Sequence, residues 1–159
     1  MSRATPATRA LDAAQVAYRL HRYDYDPEAG NIGQHAAAAL GIDPARLLKT
    51  LMVDLDGQPA CAILPVDHEL SMKKLAAALG GKHAALLPVP VAERITGYRV
   101  GGISPFGQKK RVPVALALPA LEHATVYCNG GQRGLQLELD PQVLVRLLEA
   151  KVGAIVATG

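Results

Sequence analysis

The clearest hydrophobic pattern in the chain lies in GLQLELDP, where three leucines alternate with two polar residues. Leu135, Leu137 and Leu139 alternate with Gln136 and Glu138. Because side chains of a strand point alternately to its two faces, this period of two predicts a strand with the leucines facing a core. Further strands are predicted at LHRYDYDP (20–27), LKTLMVDL (48–55), QPACAILPV (58–66), VPVALALP (112–119), ATVYC (124–128) and GAIVA (153–157). Asp56-Gly57 predicts a hairpin turn between the second and third of these.

Helices are predicted where apolar residues recur at helical spacing behind a capping residue. In MKKLAAALG, Met72, Leu75, Ala76 and Leu79 fall on one face, and Ser71 precedes them as a cap. Other helical segments are expected from Thr5-Pro6 to about Tyr18, over 34–41, for one turn from Asp43-Pro44, over 90–97, and after Asp140-Pro141. The order of elements is mixed, not a regular strand–helix alternation. This order favours an α+β fold with a mixed, mainly antiparallel, curved barrel-like sheet flanked by helices.

Composition sets the scale of the molecule and its expected compartment. The chain has 159 residues, of which 50% are hydrophobic and 4% aromatic, so one domain over residues 1–159 with an aliphatic core is expected. Two cysteines without CxxC spacing favour a reducing cytoplasm over a disulfide scaffold. With no apolar run long enough for a signal peptide or a bilayer span, we expect a soluble, cytoplasmic protein.

Several kinds of chemistry are disfavoured by missing motifs. The five histidines are scattered, with no pair at the spacing of a helical metal site, and neither GxSxG nor GxxxxGK[ST] occurs. We therefore expect no metal and no cofactor. A formal net charge of +3 favours an anionic partner without requiring one.

Two glycine-rich segments are the positive signals for a site. NGGQRG (129–134) is interpreted as a hairpin turn between two predicted strands. GGISPFGQKK (101–110) is longer than a turn needs, and long loops in compact domains are more often functional. Lys49 begins an otherwise apolar strand; on burial statistics alone, a solvated strand end is favoured over a polar pocket.

Taken together, five segments resemble the YbaK/EbsC group of aminoacyl-tRNA deacylases, which is related to the editing domain of bacterial prolyl-tRNA synthetase. They are TPA (5–7), YDYDP (23–27), LGIDPARLLKTL (40–51), AERITGYRVGGISPFGQKK (92–110) and GGQRGLQLEL (130–139). The resemblance implies a six- or seven-stranded barrel-like sheet and a pocket for the aminoacylated 3′ end of a tRNA. It also implies removal of cysteine from mischarged tRNA(Pro), with Cys-tRNA(Cys) as a further substrate.

The resemblance also implies roles for individual residues. Lys49, Gly101, Gly102 and Ser104 would act on the aminoacyl ester through the ammonium, backbone N–H groups and a hydroxyl. The substrate pocket would contain Tyr23, Ile32, Thr50, Ile103, Pro105, Asn129, Gly130, Gly131 and Gln136. Lys109, Lys110 and Arg111 would contact the acceptor stem, and prolyl-tRNA synthetase is a candidate partner. No protein nucleophile is needed, since in the cysteine-specific branch the substrate's own thiol attacks the ester; neither Cys61 nor Cys128 would be catalytic.

Three positions depart from the family pattern and keep alternatives open. The family commonly has serine at the position of Asn129, an acidic residue at Gln136 and an aromatic residue at Ile32. Editing of another small amino acid, such as alanine, is therefore a second hypothesis. A non-catalytic tRNA- or synthetase-binding module is a third. The presence of both Lys49 and the GGISP loop argues against a pure binding role.

Overall fold

Two β-sheets form the framework of residues 4–157, the part of the chain that this computed structural model describes. Within these residues the eight strands are β1 (Arg19–Arg22), β2 (Leu48–Leu55), β3 (Gln58–Pro65), β4 (Ala84–Leu86), β5 (Val114–Ala117), β6 (Val126–Asn129), β7 (Leu135–Leu139) and β8 (Lys151–Gly153). One sheet has the order β4-β2-β3-β5-β8 and the other the order β1-β7-β6. The strand count exceeds the six or seven expected because the sequence analysis did not predict β4, a three-residue strand at one edge of the larger sheet.

The larger sheet is mixed and the smaller one is antiparallel, which confirms the expected α+β fold with mainly antiparallel pairing. Strand β3 pairs with β5, and β5 with β8, in parallel, whereas the other four pairs are antiparallel. A parallel bridge between Leu47 and Tyr127 joins the start of β2 to β6. No continuous ladder links the two sheets within the described residues, so closure into a barrel is not confirmed.

Local sequence signals explain the long β2–β3 hairpin. Asp56 and Gly57 have φ angles of 50° and 88°, the left-handed values that a two-residue hairpin turn requires. Leu55 then pairs with Gln58, and the register continues to Leu48 and Pro65. The predicted strand over 48–55 and its turn are confirmed.

Helices cover the sheets on several sides. They are α1 (Pro6–Ala13), α2 (Ile32–Leu40), α3 (Met72–Ala78), α4 (Val89–Thr96) and α5 (Gln142–Leu148), with single 3₁₀ segments at Pro44–Arg46 and Leu118–Glu122. Thr5 caps α1 and Ser71 caps α3, as expected, while Gly41 and Gly97 end α2 and α4 in the left-handed conformation. None of the helices in residues 4–157 is long and apolar enough to cross a bilayer.

Several predicted elements have different ends in the structure, and three of them differ most. Helix α1 ends at Ala13 instead of near Tyr18, since the chain reverses at Gln15, whose φ is 58°. Strand β1 ends at Arg22 instead of continuing to residue 27, because its partner β7 begins only at Leu135. The last strand, β8, precedes most of the predicted segment 153–157.

The core is aliphatic, as the composition predicts, and it is divided by the larger sheet. Alternate residues of β3 enter two clusters: Cys61 and Ile63 lie between the two sheets, whereas Ala62 and Leu64 lie beneath α3. A third cluster packs α2 against Leu47, Val66 and Tyr127. Burial raises the pKa of the Cys61 and Cys128 thiols to about 12, which keeps them protonated. Both cysteines are therefore core residues.

Candidate active site

A cavity of about 330 Å³ lies at the junction of the two sheets. Its wall is formed by the start of β2, the first turn of α2, the segment after β1, the glycine loop after α4, and the adjoining ends of β6 and β7. The lining residues are Tyr23, Tyr25, Asn31, Ile32, Gly33, Ala36, Leu47, Leu48, Lys49, Thr50, Leu51, Val66, Val100, Gly101, Ile103, Asn129 and Gln136. Lys49 and Gly101, which are 52 positions apart in the chain, thus share one cavity.

Lys49 lies in the wall as a half-buried cation. Its ammonium makes no hydrogen bond or ion pair with another residue in the described range. Burial lowers the pKa of Lys49, and the nearby carboxylates of Glu69 and Asp67 partly oppose this shift. A half-buried ammonium without a direct partner is costly unless a ligand pairs with it.

Two more polar groups in the wall lack partners. The hydroxyl of Thr50 and the amide oxygen Oε1 of Gln136 are buried and make no hydrogen bond. Buried polar side chains are usually hydrogen-bonded, so such atoms require an explanation. Because both line the same cavity as Lys49, a bound ligand is the simplest explanation.

Tyr23 and Asn129 add further polar groups to the wall. Burial raises the pKa of Tyr23, while the Gln136 side chain and the Gly134 backbone act in the opposite direction. Asn129 lies opposite Gln136 in the β6–β7 ladder, and its side-chain amide donates to the Gly101 carbonyl over 3.2 Å. Asn129 therefore supports the glycine loop as well as lining the cavity.

The glycine loop contributes main-chain donors at Gly101 and Ile103. Gly101 has a φ of 86°, and a Cβ there would lie 2.5 Å from the Tyr25 hydroxyl oxygen, so glycine is required by both conformation and space. Within the described residues, the N–H groups of Gly101 and Ile103 donate to no acceptor. Backbone N–H groups are rarely left unpaired, and both residues line the cavity, so a ligand there could accept from them.

Other predicted members of the same loop do not line the cavity. The N–H of Gly102 donates to the Arg99 carbonyl over 2.8 Å, and its α-carbon packs against the backbone of Gln132 and Arg133. Ser104 is fully buried and its hydroxyl accepts from the Phe106 N–H over 3.2 Å. Pro105 lines a separate surface cavity. The positions of Gly102 and Ser104 do not support their expected role at the ester, nor does that of Pro105 support its expected place in the substrate pocket; all three roles stay predictions.

The glycines of the β6–β7 turn also have structural contacts. The Gly130 N–H donates to the Leu135 carbonyl, and the Gly130 carbonyl accepts from the Thr5 hydroxyl. The Gly131 N–H donates to Oδ1 of Asn129 over 2.6 Å. The interpretation of this segment as a hairpin turn is confirmed, whereas neither glycine lines the cavity.

The three predicted tRNA-binding cations are exposed and lie away from the cavity wall. Lys109 packs its side-chain carbons beside Gly97, and Arg111 forms an exposed ion pair with Glu149 at 3.2 Å. Lys110 and Arg111 line the same separate cavity as Pro105. Their contact with RNA stays a prediction.

Sequence analysis missed several members of the wall, notably Tyr25, Asn31 and Gly33. Tyr25 had a usable signal, since YDYD places Tyr23 and Tyr25 on one side of an extended segment. Gly33 had no such signal in the sequence. Glycine is required there because a Cβ at position 33 would lie 2.6 Å from the side chain of Val66. That contact is between segments distant in the chain.

The donor set indicates what kind of chemistry the cavity supports. The described lining residues include no His, Cys, Ser, Asp or Glu, so the wall offers no nucleophile–base pair of the Ser–His or Cys–His kind. It offers an ammonium, two free amides and polar acceptors between apolar side chains. Within residues 4–157 there is no group of three or more His, Cys, Asp or Glu placed to hold a metal ion. The wall can orient and polarise a ligand that carries its own nucleophile.

Comparisons with known proteins show which proteins have similar sequences. The family model described as the aminoacyl-tRNA editing domain matches residues 26–147. EbsC of Enterococcus faecalis, a proposed Cys-tRNA(Pro)/Cys-tRNA(Cys) deacylase, is 34% identical over 152 residues, which covers 95% of this chain and 92% of EbsC. A proline–tRNA ligase of Geobacter sulfurreducens is 31% identical over 103 residues, or 65% of this chain but only 18% of the ligase.

A solved structure supports the same fold. The crystal structure of a proposed trans-editing enzyme for prolyl-tRNA synthetase superposes with a TM-score of 0.80 at 20% identity, covering 98% of this chain and 99% of that one. The family match over residues 26–147 and the 34% identity to EbsC confirm the resemblance indicated by TGYRVGGISPFGQKK and the other segments. The chain belongs to the aminoacyl-tRNA editing domain family.

Proposed function

We propose that this protein is a trans-acting aminoacyl-tRNA deacylase that removes cysteine from mischarged tRNA(Pro), and from tRNA(Cys). Membership of the editing family and the similarity to EbsC over almost the whole chain support this proposal. The observation that carries it is the cavity wall, where the unpartnered Lys49 ammonium, the two unpartnered buried side-chain oxygens and the two free loop amides all meet.

In the proposed reaction the substrate supplies the nucleophile. The cysteine thiolate attacks its own ester carbonyl, a C–S bond forms, and the ester C–O bond breaks. The terminal ribose oxygen leaves and takes up a proton, which frees the tRNA and a cyclic thioester that water then opens to cysteine. The N–H groups of Gly101 and Ile103 stabilise the developing oxyanion, and Lys49 holds the negatively charged 3′-terminal nucleotide.

Editing is physically necessary because cysteine and proline are similar in size. A synthetase pocket separates such residues by only about 1–3 kcal/mol per methylene-sized difference. The apolar side chains of Ile32, Ala36 and Val66 suit a small side chain in the cavity. They would also accept a methyl group, which makes alanine the second candidate.

The decisive experiment measures amino-acid release from matched Cys-, Ala- and Ser-tRNA(Pro). We expect rapid release of cysteine and little release of serine, which has nearly the same size but a far less acidic nucleophile. Release of alanine without cysteine would replace the substrate assignment. Equal release of serine and cysteine would contradict thiol assistance. Tight tRNA binding without any release would indicate the non-catalytic module.

The family acts on aminoacyl-tRNA, and we extend this to a complex with prolyl-tRNA synthetase in the cytoplasm. The modest charge of +3 gives limited affinity for tRNA alone, so recruitment by the synthetase would raise the local substrate concentration. Lys109, Lys110 and Arg111 would contribute salt-sensitive phosphate contacts. Sedimentation of the protein with synthetase, with and without tRNA, tests the complex. Independent migration in both mixtures at micromolar concentrations would exclude stable recruitment.

A further inference from the structure

Arg133 contacts the mouth of the cavity without lining it. Its Nε donates to the Val100 carbonyl over 2.9 Å, and its guanidinium carbon lies 5.2 Å from the centre of the Tyr25 ring. The side chain is otherwise exposed. Both Val100 and Tyr25 line the cavity, and the Tyr25 hydroxyl lies directly against Gly101. Arg133 therefore touches the glycine loop and the aromatic residue that packs on it.

The contact with Val100 has a geometric consequence for Gly101. A trans peptide unit is planar, so its C=O and N–H point in opposite directions. The Val100 carbonyl is directed toward Arg133, which lies outside the cavity wall. The N–H of Gly101, a residue of the cavity wall, belongs to the same peptide unit and is therefore directed away from Arg133. This is one of the two loop amides without an acceptor in the described chain.

A second hydrogen bond, from Asn129 at the start of the β6–β7 turn, holds the next peptide unit of the glycine loop. Asn129 donates to the Gly101 carbonyl over 3.2 Å, so two successive carbonyls of the loop are held by the β6–β7 turn. Gly102 packs against the backbone of that turn, with Arg133 N only 2.9 Å from the position of a Cβ. The loop can approach so closely because residue 102 has no side chain.

We propose that Arg133 is a positioning residue that aims the Gly101 N–H at the reacting ester carbonyl. This inference rests on the proposed deacylase function. An amide donor in flexible glycine-rich backbone is effective only if its direction is preorganised. Arg133 supplies this order from outside the cavity, through one hydrogen bond and one stacking contact, and touches no substrate atom.

The kinetic test compares R133A and R133K with R146A as the matched control. Arg146 is an exposed arginine on α5, away from the cavity lining. We expect R133A to lower kcat by about 10- to 100-fold with KM changed less than about threefold, since loss of an oxyanion donor typically costs about 10²–10³-fold. R133K keeps the charge but not the planar fork, so kcat should recover only in part. R146A should match the wild type.

The opposite kinetic pattern would overturn the proposal. If R133A raises KM at unchanged kcat and R133K restores it, Arg133 acts as a charge that attracts RNA phosphate. If R133A matches the wild type in both kcat and KM, Arg133 does not position the Gly101 N–H.

A second measurement needs no substrate and separates this inference from the proposed function. Backbone ¹⁵N relaxation of Gly101 should give an order parameter near 0.85 in the wild type and below about 0.6 in R133A, with thermal unfolding unchanged. An equally rigid Gly101 amide in both proteins would overturn the positioning role. If the wild type releases no amino acid from any tRNA, the proposed deacylase function is wrong. The relaxation data would still decide whether Arg133 orders the loop.

Discussion

Gln136 and Glu138 stand two residues apart on the same face of β7, yet their surroundings are opposite. The Glu138 side chain is 16% exposed and both of its oxygens are occupied: Oε1 accepts from His21 Nε2 over 2.9 Å, and Oε2 from the Thr125 hydroxyl over 2.7 Å. Arg46 adds an ion pair at 3.5 Å. Gln136 is more deeply buried, and its Oε1 has no partner.

The difference separates a structural polar cluster from a ligand-binding one. Around Glu138, charge and hydrogen bonds are satisfied within the protein, so this end of the face stabilises the junction between the small sheet and the turn before β2. Around Gln136, the unpartnered groups carry a desolvation penalty of about 1–3 kcal/mol each that a ligand could offset. The two regions differ mainly in whether their polar groups have hydrogen-bond partners within the protein, and less in polarity or burial.

The largest effect is expected from Lys49→Ala at the cavity end. Deacylation should fall by at least about 100-fold, because a preorganised electrostatic contact in a water-poor site is lost. The melting temperature should stay the same or rise, since a half-buried ammonium without a partner is removed. Single-turnover release from Cys-tRNA(Pro) measures the effect. Lys73→Ala, which removes an exposed lysine on α3, is the control, and unchanged turnover in Lys49→Ala would remove Lys49 from the mechanism.

Glu138→Ala should produce the largest loss of stability. Hydrogen bonds to a charged group contribute about 1.5–3 kcal/mol, and His21, Thr125 and Arg46 would lose their shared acceptor. We expect the free energy of unfolding to fall by about 2 kcal/mol, while turnover per folded molecule changes little. Urea titration and active-site-normalised kinetics measure the two quantities. A stable but inactive variant would place Glu138 in the functional region instead.

Gln136→Leu should affect substrate binding more than stability, the opposite of Glu138→Ala. The Gln136 amide contacts Tyr23 but leaves its buried Oε1 without a partner, so replacing it by an apolar group of similar size should change stability by less than about 1 kcal/mol. Substrate binding should weaken, because an acceptor in the wall is removed. The midpoint of urea unfolding measures the change in stability, and KM measures the change in substrate binding. Destabilisation of Gln136→Leu to the extent seen for Glu138→Ala would show that the contact of Gln136 with Tyr23 is structural.

The smallest effect is a pH dependence confined to the Glu138 cluster. The Thr125 hydroxyl, and after it His21 and Arg46, hold the pKa of Glu138 below its usual value of 4.5, although burial acts in the opposite direction. A carboxyl with a lowered folded pKa stabilises the protein above the unfolded pKa and loses this contribution as pH falls through the folded value. The stability advantage of the wild type over Glu138→Gln should therefore shrink below about pH 4.5. A constant difference down to pH 3 would exclude this linkage.

The sequence by itself determined those elements whose signals are local. The period of two in LQLEL predicted β7 because alternation is a property of any extended strand, and Asp56-Gly57 predicted its hairpin because both residues tolerate left-handed backbone. The family could also be identified from the chain alone, through the run from Ala92 to Lys110. The ends of β1 and α1 could not, since they depend on where β7 begins and on the reversal at Gln15.

Only the tertiary structure decided which glycines and polar residues belong to the cavity. Gly101 and Gly102 are adjacent and chemically identical, yet Gly101 lines the cavity while Gly102 packs against the turn that carries Arg133. In the same way, Oε1 of Gln136 has no partner, whereas both carboxylate oxygens of Glu138 accept hydrogen bonds. The physical reason is that a sequence records backbone freedom and side-chain alternation, whereas the groups that occupy each donor and acceptor come from segments distant in the chain.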